Sequence, residues 1–167
     1  LNLDQEYPGL HIPGYNFYRK DRNRVWGGLG CFYRDSIQIN VLNTPNFNDE
    51  TESFCLSVKV KFISPILLSC IYRNPNKFPS AVFYIDLNNY LNSVNSHLSK
   101  HREYYTLGDL NIDLLKTNAL SDNILLAFKE YNCSQFIQEP THHTKHSSSL
   151  IDHIYANTAD YITQSGI

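Results

Sequence analysis

Short apolar runs alternate with polar breaks along the whole chain, and the repeat of the apolar positions shifts between two and about three and a half. Residues 1–14 read as loop, with turn signals at Pro8-Gly9 and Pro13-Gly14. Residues 15–19 predict a short strand. A basic cluster follows (Arg19, Lys20, Arg22, Arg24), and Gly27-Gly28 then opens a second strand, GLGCFYR. Residues 36–42 predict a third, and the last two strands suggest a hairpin turning at Arg34-Asp35. Residues 43–52 are a polar connector. SFCLSVKVKF, residues 53–62, alternates with period two and predicts a half-buried strand, broken at Pro65. ILLSCIY, residues 66–72, is more continuously apolar and predicts a central strand buried on both faces.

Beyond it the repeat becomes helical. Pro79-Ser80 signals a helix start, and Phe83, Leu87, Tyr90, Leu91, Val94 and Leu98 fall on one face of a helix reaching about Lys100. Residues 102–107 predict a strand entering GDLN. A second helix over 119–131 carries Leu120, Ile124, Leu125, Phe128 and Tyr131 as its stripe. Residues 134–137 predict a short strand, 141–149 a polar, His-rich loop, and 150–155 a last strand. This order specifies a mixed α/β domain with helices packed over sheet.

Composition narrows the picture. A chain of 167 residues with 42% hydrophobic and 13% aromatic content can bury one real core. No run approaches the roughly 18 apolar residues of a membrane span, so no membrane partner is expected. The net charge of -2 provides no general attraction for nucleic acid. A nuclease that grips its substrate through a local patch and a cation needs none. Cys31, Cys55, Cys70 and Cys133 are widely spaced without a CxxC pair, and read as buried thiols of a reducing compartment. The absence of methionine and the apolar run at residues 161–167 suggest a fragment of a longer polypeptide.

Three strand ends present polar groups: Tyr72 with Asn76, Asp109 with Asn111, and Asp152 with His153. Ligand sites gather at strand ends in α/β proteins. A phenol, two carboxylates and two carboxamides suit a phosphodiester, the carboxylates binding a cation or orienting water and the others hydrogen-bonding phosphate. The plainer reading of GDLN is a strand followed by an Asp/Asn turn. No Ser-His-Asp or Cys-His arrangement emerges, and the glycines at 27, 28 and 30 precede a strand, unlike a phosphate loop. His142, His143 and His146 could suit zinc on one helical turn, but no further ligand set accompanies them, so phosphate contacts or a solvated loop are the preferred reading. His153, one residue from Asp152, faces the other side of its strand and reads as structural.

The succession YRNPN, GDLN and SSSLIDHI closely resembles the endonuclease/exonuclease/phosphatase family and, more narrowly, the endonuclease domain of LINE-type non-LTR retrotransposons of the jockey and CR1 kind. Gly14-Tyr15, Arg19 to Arg22, Gly27-Gly28 and the Gln138-Glu139-Pro140-Thr141 segment fit the same pattern, so the resemblance runs over essentially the whole chain. It implies a DNase I-like four-layer α/β sandwich, two packed mixed β-sheets flanked by helices, present here as one incomplete domain over residues 1–167. It implies Mg²⁺- or Mn²⁺-dependent hydrolysis that nicks DNA to prime reverse transcription. The partners would be target DNA and a reverse transcriptase domain of the same polyprotein, in the nucleus.

By that resemblance Asp109 activates the attacking water or the leaving group and is the possible metal ligand. Asn111 positions the scissile phosphate, Tyr72 steadies charge on an oxygen of the phosphate, Asn76 and Arg22 bind phosphate, and Asp152 orients a catalytic histidine. Thr141 and Ser149 fall in a loop expected near the DNA backbone. Asn74 stands where many relatives have a second proline, and Leu110 where many have Phe. The family's strand-end metal-binding Glu and its final Ser-Asp-His motif are absent; Glu6, in DQEYPG, does not match the former. The isolated chain is therefore expected to nick DNA little and to be weakly stable. The competing readings are a lipid or inositol phosphatase of the same superfamily and an inactive element remnant.

Overall fold

The computed structural model describes residues 11–22, 27–48, 50–76 and 81–166; Glu6, Arg24 and the Pro79-Ser80 helix start lie outside them. Among the described residues, ten strands and two α-helices follow in the order β1 (Tyr15–Asp21), β2 (Gly28–Arg34), β3 (Gln38–Leu42), β4 (Glu52–Lys59), β5 (Ile66–Tyr72), α1 (Ala81–Ser96), β6 (Tyr104–Asp109), α2 (Ala119–Glu130), β7 (Ser134–Gln135), β8 (His142–His143), β9 (Ser148–Ser149) and β10 (Asp152–Ala156). A 3-10 turn at Leu98–Lys100 ends the α1 segment. Six strands form one mixed sheet, ordered β3-β4-β5-β6-β10-β7; β1-β2 and β8-β9 are separate two-stranded ribbons. β5 and β6 are parallel, joined through α1, and the other pairs in the sheet are antiparallel.

Both helices cover the same face of the large sheet. Phe83, Leu87, Tyr90, Leu91 and Val94 of α1 and Ile124, Ala127 and Phe128 of α2 pack on Cys55, Leu67, Ile71, Tyr104 and Tyr155. The Phe128 and Tyr155 rings stack with centroids 3.6 Å apart. The β1-β2 ribbon lies on the opposite face near β4: Tyr18 meets Phe54 edge-on at 5.2 Å, and Lys20 Nζ donates to the Ser53 carbonyl at 2.8 Å. The described residues thus form helices, sheet and ribbon in three layers, with helices on one side only. No helix among them is long and apolar enough to cross a membrane.

Several elements differ from the sequence expectation. β2 does not pair with β3. It pairs back onto β1, Phe32 opposite Phe17, while β3 joins β4 with Leu42 opposite Cys55 and packed on the core. Arg34-Asp35 is therefore a step between layers, fixed by Asp35 N donating to Gly14 O and Ile37 N to Arg34 O. β4 is not half-buried, because its serines are covered as well. Ser53, Cys55 and Ser57 face the helices, where small side chains leave room for Tyr90, whose hydroxyl donates to Phe54 O at 2.9 Å. β4 stops at Lys59, and the bend beyond places Phe62 at φ 66°.

β5 is central, but only Leu67, Ser69 and Ile71, beneath the helices, are fully covered; Leu68, Cys70 and Tyr72 on the other face are half-buried. Cys55 and Cys133 are buried, Cys31 and Cys70 only partly. In α2 the buried stripe runs through Ser121, Ile124, Ala127 and Phe128, and Leu125 points outward, one helical step off that face. The 141–149 loop is instead the β8-β9 ribbon, His142 opposite Ser149.

Candidate active site

Pairing in the large sheet gathers the strand-end residues into one row. Glu52 on β4 stands opposite Tyr72 on β5. Two residues beyond the Cys70–Leu107 partnership, Tyr72 is level with Asp109 on β6, and the hydrogen bond from Arg73 N to Asp109 O (2.9 Å) continues the ladder there. Asp109 stands opposite Asp152 on β10. Directly opposed residues share a face, so Glu52, Tyr72, Asp109 and Asp152 project on the side away from the helices. Gly108 permits the close approach of β5 and β6: a Cβ there would lie 1.8 Å from Ile71 O.

Asp109 and Asp152 are like charges side by side, which a sheet ordinarily disfavours. Partial burial raises the Asp109 carboxyl above its usual range, and the Asp152 charge adds to this; the Asn111 amide, donating to Asp109 Oδ1 at 3.0 Å, and Arg73 act the other way. Two carboxylates on adjacent strands, opening toward the ribbon side, are hard oxygen donors of the kind that take Mg²⁺ or Mn²⁺ together with a substrate phosphate. A divalent cation held between them would relieve their mutual repulsion. Among the described residues no third His, Cys, Asp or Glu joins them as a ligand group, and His142 and His143 lie on an exposed ribbon.

After Asp109 the chain leaves the sheet. Asn111 adopts the left-handed conformation (φ 50°), and its Nδ2 donates to Arg73 O at 2.8 Å. Arg73, 2% exposed, returns three bonds to main-chain carbonyls: Nε to Leu110 O (2.7 Å), Nη2 to Asn111 O (2.9 Å) and Nη1 to Asn74 O (3.2 Å). Asn74 Oδ1 accepts the Asn76 amide at 3.0 Å, and its Nδ2 donates to Glu50 Oε2 at 2.8 Å; Asn76 itself is exposed beyond the end of β5.

The far side of the row is held by main-chain bonds as well. Thr141 Oγ1 accepts Ile151 N (3.2 Å) and Asp152 N (3.1 Å), leaving its own proton for any ligand, and Thr141 N donates to Ser149 O at 3.0 Å. Thr141 and Ser149 thus sit at the root of the β8-β9 ribbon beside Asp152. Asp113 Oδ1 accepts Leu150 N (3.0 Å) and Leu115 N (3.1 Å). Burial would raise its carboxyl, but these amides and Lys116 outweigh burial and hold it below the ordinary value. His153, facing the helix side, is buried; its Nε2 lies 3.0 Å from Ile112 O and its Nδ1 3.4 Å from the Tyr155 hydroxyl. Burial drives its pKa down to about 4, against the Ile112 and Leu150 carbonyls and Asp152, which favour the charged form.

The basic cluster is largely engaged within the fold. Arg19 pairs with Asp21 (3.3 Å), and Lys20 holds Ser53 O. Arg22 forms an ion pair with Glu52 and lies 5.8 Å over the Tyr72 ring. The structure therefore brings Tyr72, Asp109, Asn111, Asp152, Thr141, Ser149 and Arg22 to one region, with Asn76 at its margin. Sequence reasoning passed over Glu52, Arg73 and Asp113, and gave Asn74 no functional role. The signal that could have found Glu52 is its place at the start of the strand preceding ILLSCIY.

No family model and no curated protein matches the chain in sequence. Its backbone does match solved structures. An endonuclease/exonuclease/phosphatase family protein from Bacteroides thetaiotaomicron superposes with TM-score 0.55 at 14% identity, over 87% of this chain and 60% of that one. The endonuclease domain of TRAS1, a telomere-specific non-LTR retrotransposon, gives 0.58 at 13%, over 86% and 65%. ANGEL2, a 2′,3′-cyclic phosphatase, gives 0.63 at 13%, over 86% and 62%. The chain thus spans 60 to 65% of the length of these three proteins. It has the DNase I-like α/β fold of the endonuclease/exonuclease/phosphatase proteins.

Proposed function

We propose that the chain is part of a phosphodiester hydrolase and, more narrowly, of the endonuclease domain of a LINE-type retrotransposon that nicks nuclear target DNA and primes reverse transcription. The observation that carries this reading is the row Tyr72–Asp109–Asp152, three strand ends aligned by sheet register on one open face. Asp109, with Oδ1 occupied by the Asn111 amide, offers Oδ2 to an attacking water. Its raised basicity suits it to take a proton. Asn111, one side-chain N–H bound to Arg73 O, turns the other toward a phosphoryl oxygen. The Tyr72 hydroxyl steadies negative charge on the same phosphate, with Arg22 over its ring bringing positive charge nearby. Thr141 fixes the amide of Asp152 and Ser149 lies beside it, so the β8-β9 ribbon starts where a DNA backbone entering the row would pass. Asp109 and Asp152 would hold Mg²⁺ or Mn²⁺, which supplies neutralisation of the phosphate charge.

The test uses the polypeptide extended by its flanking coding sequence, incubated with supercoiled plasmid and Mg²⁺ or Mn²⁺. Nicked circles that vanish with Asp109→Ala are expected, as is a reverse transcriptase in the same reading frame. Phosphate release from a 2′,3′-cyclic nucleotide or an inositol phosphate, with no nicking, would assign the chain to a phosphatase of the same fold. No activity on any of these substrates would identify an inactive remnant.

A further inference from the structure

YRNPN and GDLN lie 36 residues apart in the chain, counting from Arg73 to Asp109, yet they are bolted together by a reciprocal set of hydrogen bonds centred on one buried side chain. Arg73 N donates to Asp109 O. The guanidinium fork donates to Leu110 O and Asn111 O, and Asn111 Nδ2 donates back to Arg73 O. The guanidinium also lies 5.8 Å from the Phe83 ring centroid, so its plane is confined by α1. Non-glycine residues take the left-handed conformation at a cost, and hold it when the surroundings over-determine it. Asn111 is over-determined in this way: carbonyl by Arg73 Nη2, side chain by Arg73 O, and amide by Asp109 Oδ1.

We propose that Arg73 is the positioning residue of the site, its planar fork setting the Leu110-Asn111 backbone so that the Asn111 amide and side chain stand correctly against Asp109. Arg73 touches no reacting atom in this arrangement; it acts through Asn111. A lysine at this position keeps the charge but reaches one carbonyl instead of two in a fixed plane. The proposal rests on the reading of Asp109 and Asn111 as site residues only for its cation-binding arm.

The experiment compares the wild-type chain, Arg73→Lys and Arg73→Ala by amide hydrogen exchange in NMR and by Mn²⁺ titration, following broadening at Asp109 and Asn111. In Arg73→Lys the Leu110 and Asn111 amides should exchange about ten-fold faster or more, with Thr106 and Tyr155 in the sheet unchanged. Mn²⁺ affinity should fall about ten-fold, as for other groups that orient a metal's ligands. Methylguanidinium added to Arg73→Ala should restore both. In the wild type, the Arg73 Nε–H should exchange slowly and show coupling across its hydrogen bond to the Leu110 carbonyl carbon, a measurement that does not depend on any variant folding. The proposal is overturned if that coupling is absent, if Arg73→Lys behaves as wild type, or if Mn²⁺ affinity falls only in step with sheet protection. If the wild-type chain takes no Mn²⁺ at these residues, the cation reading fails and the exchange and coupling measurements still decide the role of Arg73.

Discussion

Acid should unfold this chain through His153. The imidazole is 2% exposed and wedged between the Ile112 carbonyl, to which Nε2 donates at 3.0 Å, and the Tyr155 hydroxyl, 3.4 Å from Nδ1. Burial holds its pKa near 4, against an ordinary 6.5. Protonation is therefore easier in the unfolded chain. The stability tied to neutral His153 is complete above about pH 6.5 and is lost as the pH falls toward 4. The gap between those values, at roughly 1.36 kcal/mol per pH unit, corresponds to about 3 kcal/mol, a large share of the stability of a domain this size. The informative comparison is with His153→Gln, which can still donate to Ile112 O but does not titrate. Urea unfolding followed by far-UV circular dichroism at pH 7.5 and pH 4.5 gives the change for each protein. The carboxylates contribute alike to both and cancel in the difference. The wild type should lose between about 2 and 3 kcal/mol more than the variant over this interval. Parallel losses in the two proteins would refute the reasoning.

Other perturbations follow from the same geometry. Gly108→Ala drives a methyl into the Ile71 carbonyl, a backbone atom that cannot swing aside, so a loss of at least ~2 kcal/mol is expected, with faster exchange of the Arg73 amide; an unchanged melting temperature would contradict it. Asp113→Ala leaves the Leu150 and Leu115 amides without their acceptor and should cost about 1 to 3 kcal/mol at neutral pH. Because the folded Asp113 carboxyl lies below its ordinary value, this deficit should shrink as the pH falls below about 4, which urea titrations across that range would reveal. Asn118→Ala removes the side-chain acceptor for Leu120 N and Ser121 N at the start of α2 and should lower the urea midpoint by about 1 kcal/mol equivalent, with Asn118→Ser recovering most of it.

The helices were legible because their apolar stripes are local: Phe83 through Val94 appear in the chain at the spacing they keep in the core. Tyr72 and Asp109 were legible for a related reason, each ending an apolar run that reads as a strand, and Asp152 because it opens the strand β10. The partners of those strands were not legible. GLGCFYR and residues 36–42 look like a hairpin from their spacing, yet Phe32 finds Phe17 and Leu42 finds Cys55, a choice made by layers that no short window contains. The serines of β4 suggested a wet face, while they lie buried beneath the helices, where the Tyr90 hydroxyl reaches the β4 main chain at Phe54 O. Arg73 and Asp113 escaped notice because they act on main-chain carbonyls and amides 37 or 38 residues away, and such bonds place no demand on the identity of the residue at the other end.

The strand order β6-β10-β7 also bears on how the row comes into being. β7 precedes β10 in the chain but, among the described residues, pairs with no other strand of the sheet, so its place exists only once β10 has settled beside β6. That same arrival brings Asp152 up to Asp109. While the chain is being synthesised, Tyr72 and Asp109 can be aligned early through the β5-α1-β6 unit, but the paired carboxylates come together at the last step of sheet closure. A ribosome-bound or prematurely terminated chain lacking β10 would carry half a row and no doubled negative charge; on the function proposed above, cation binding would begin only with completion of the sheet.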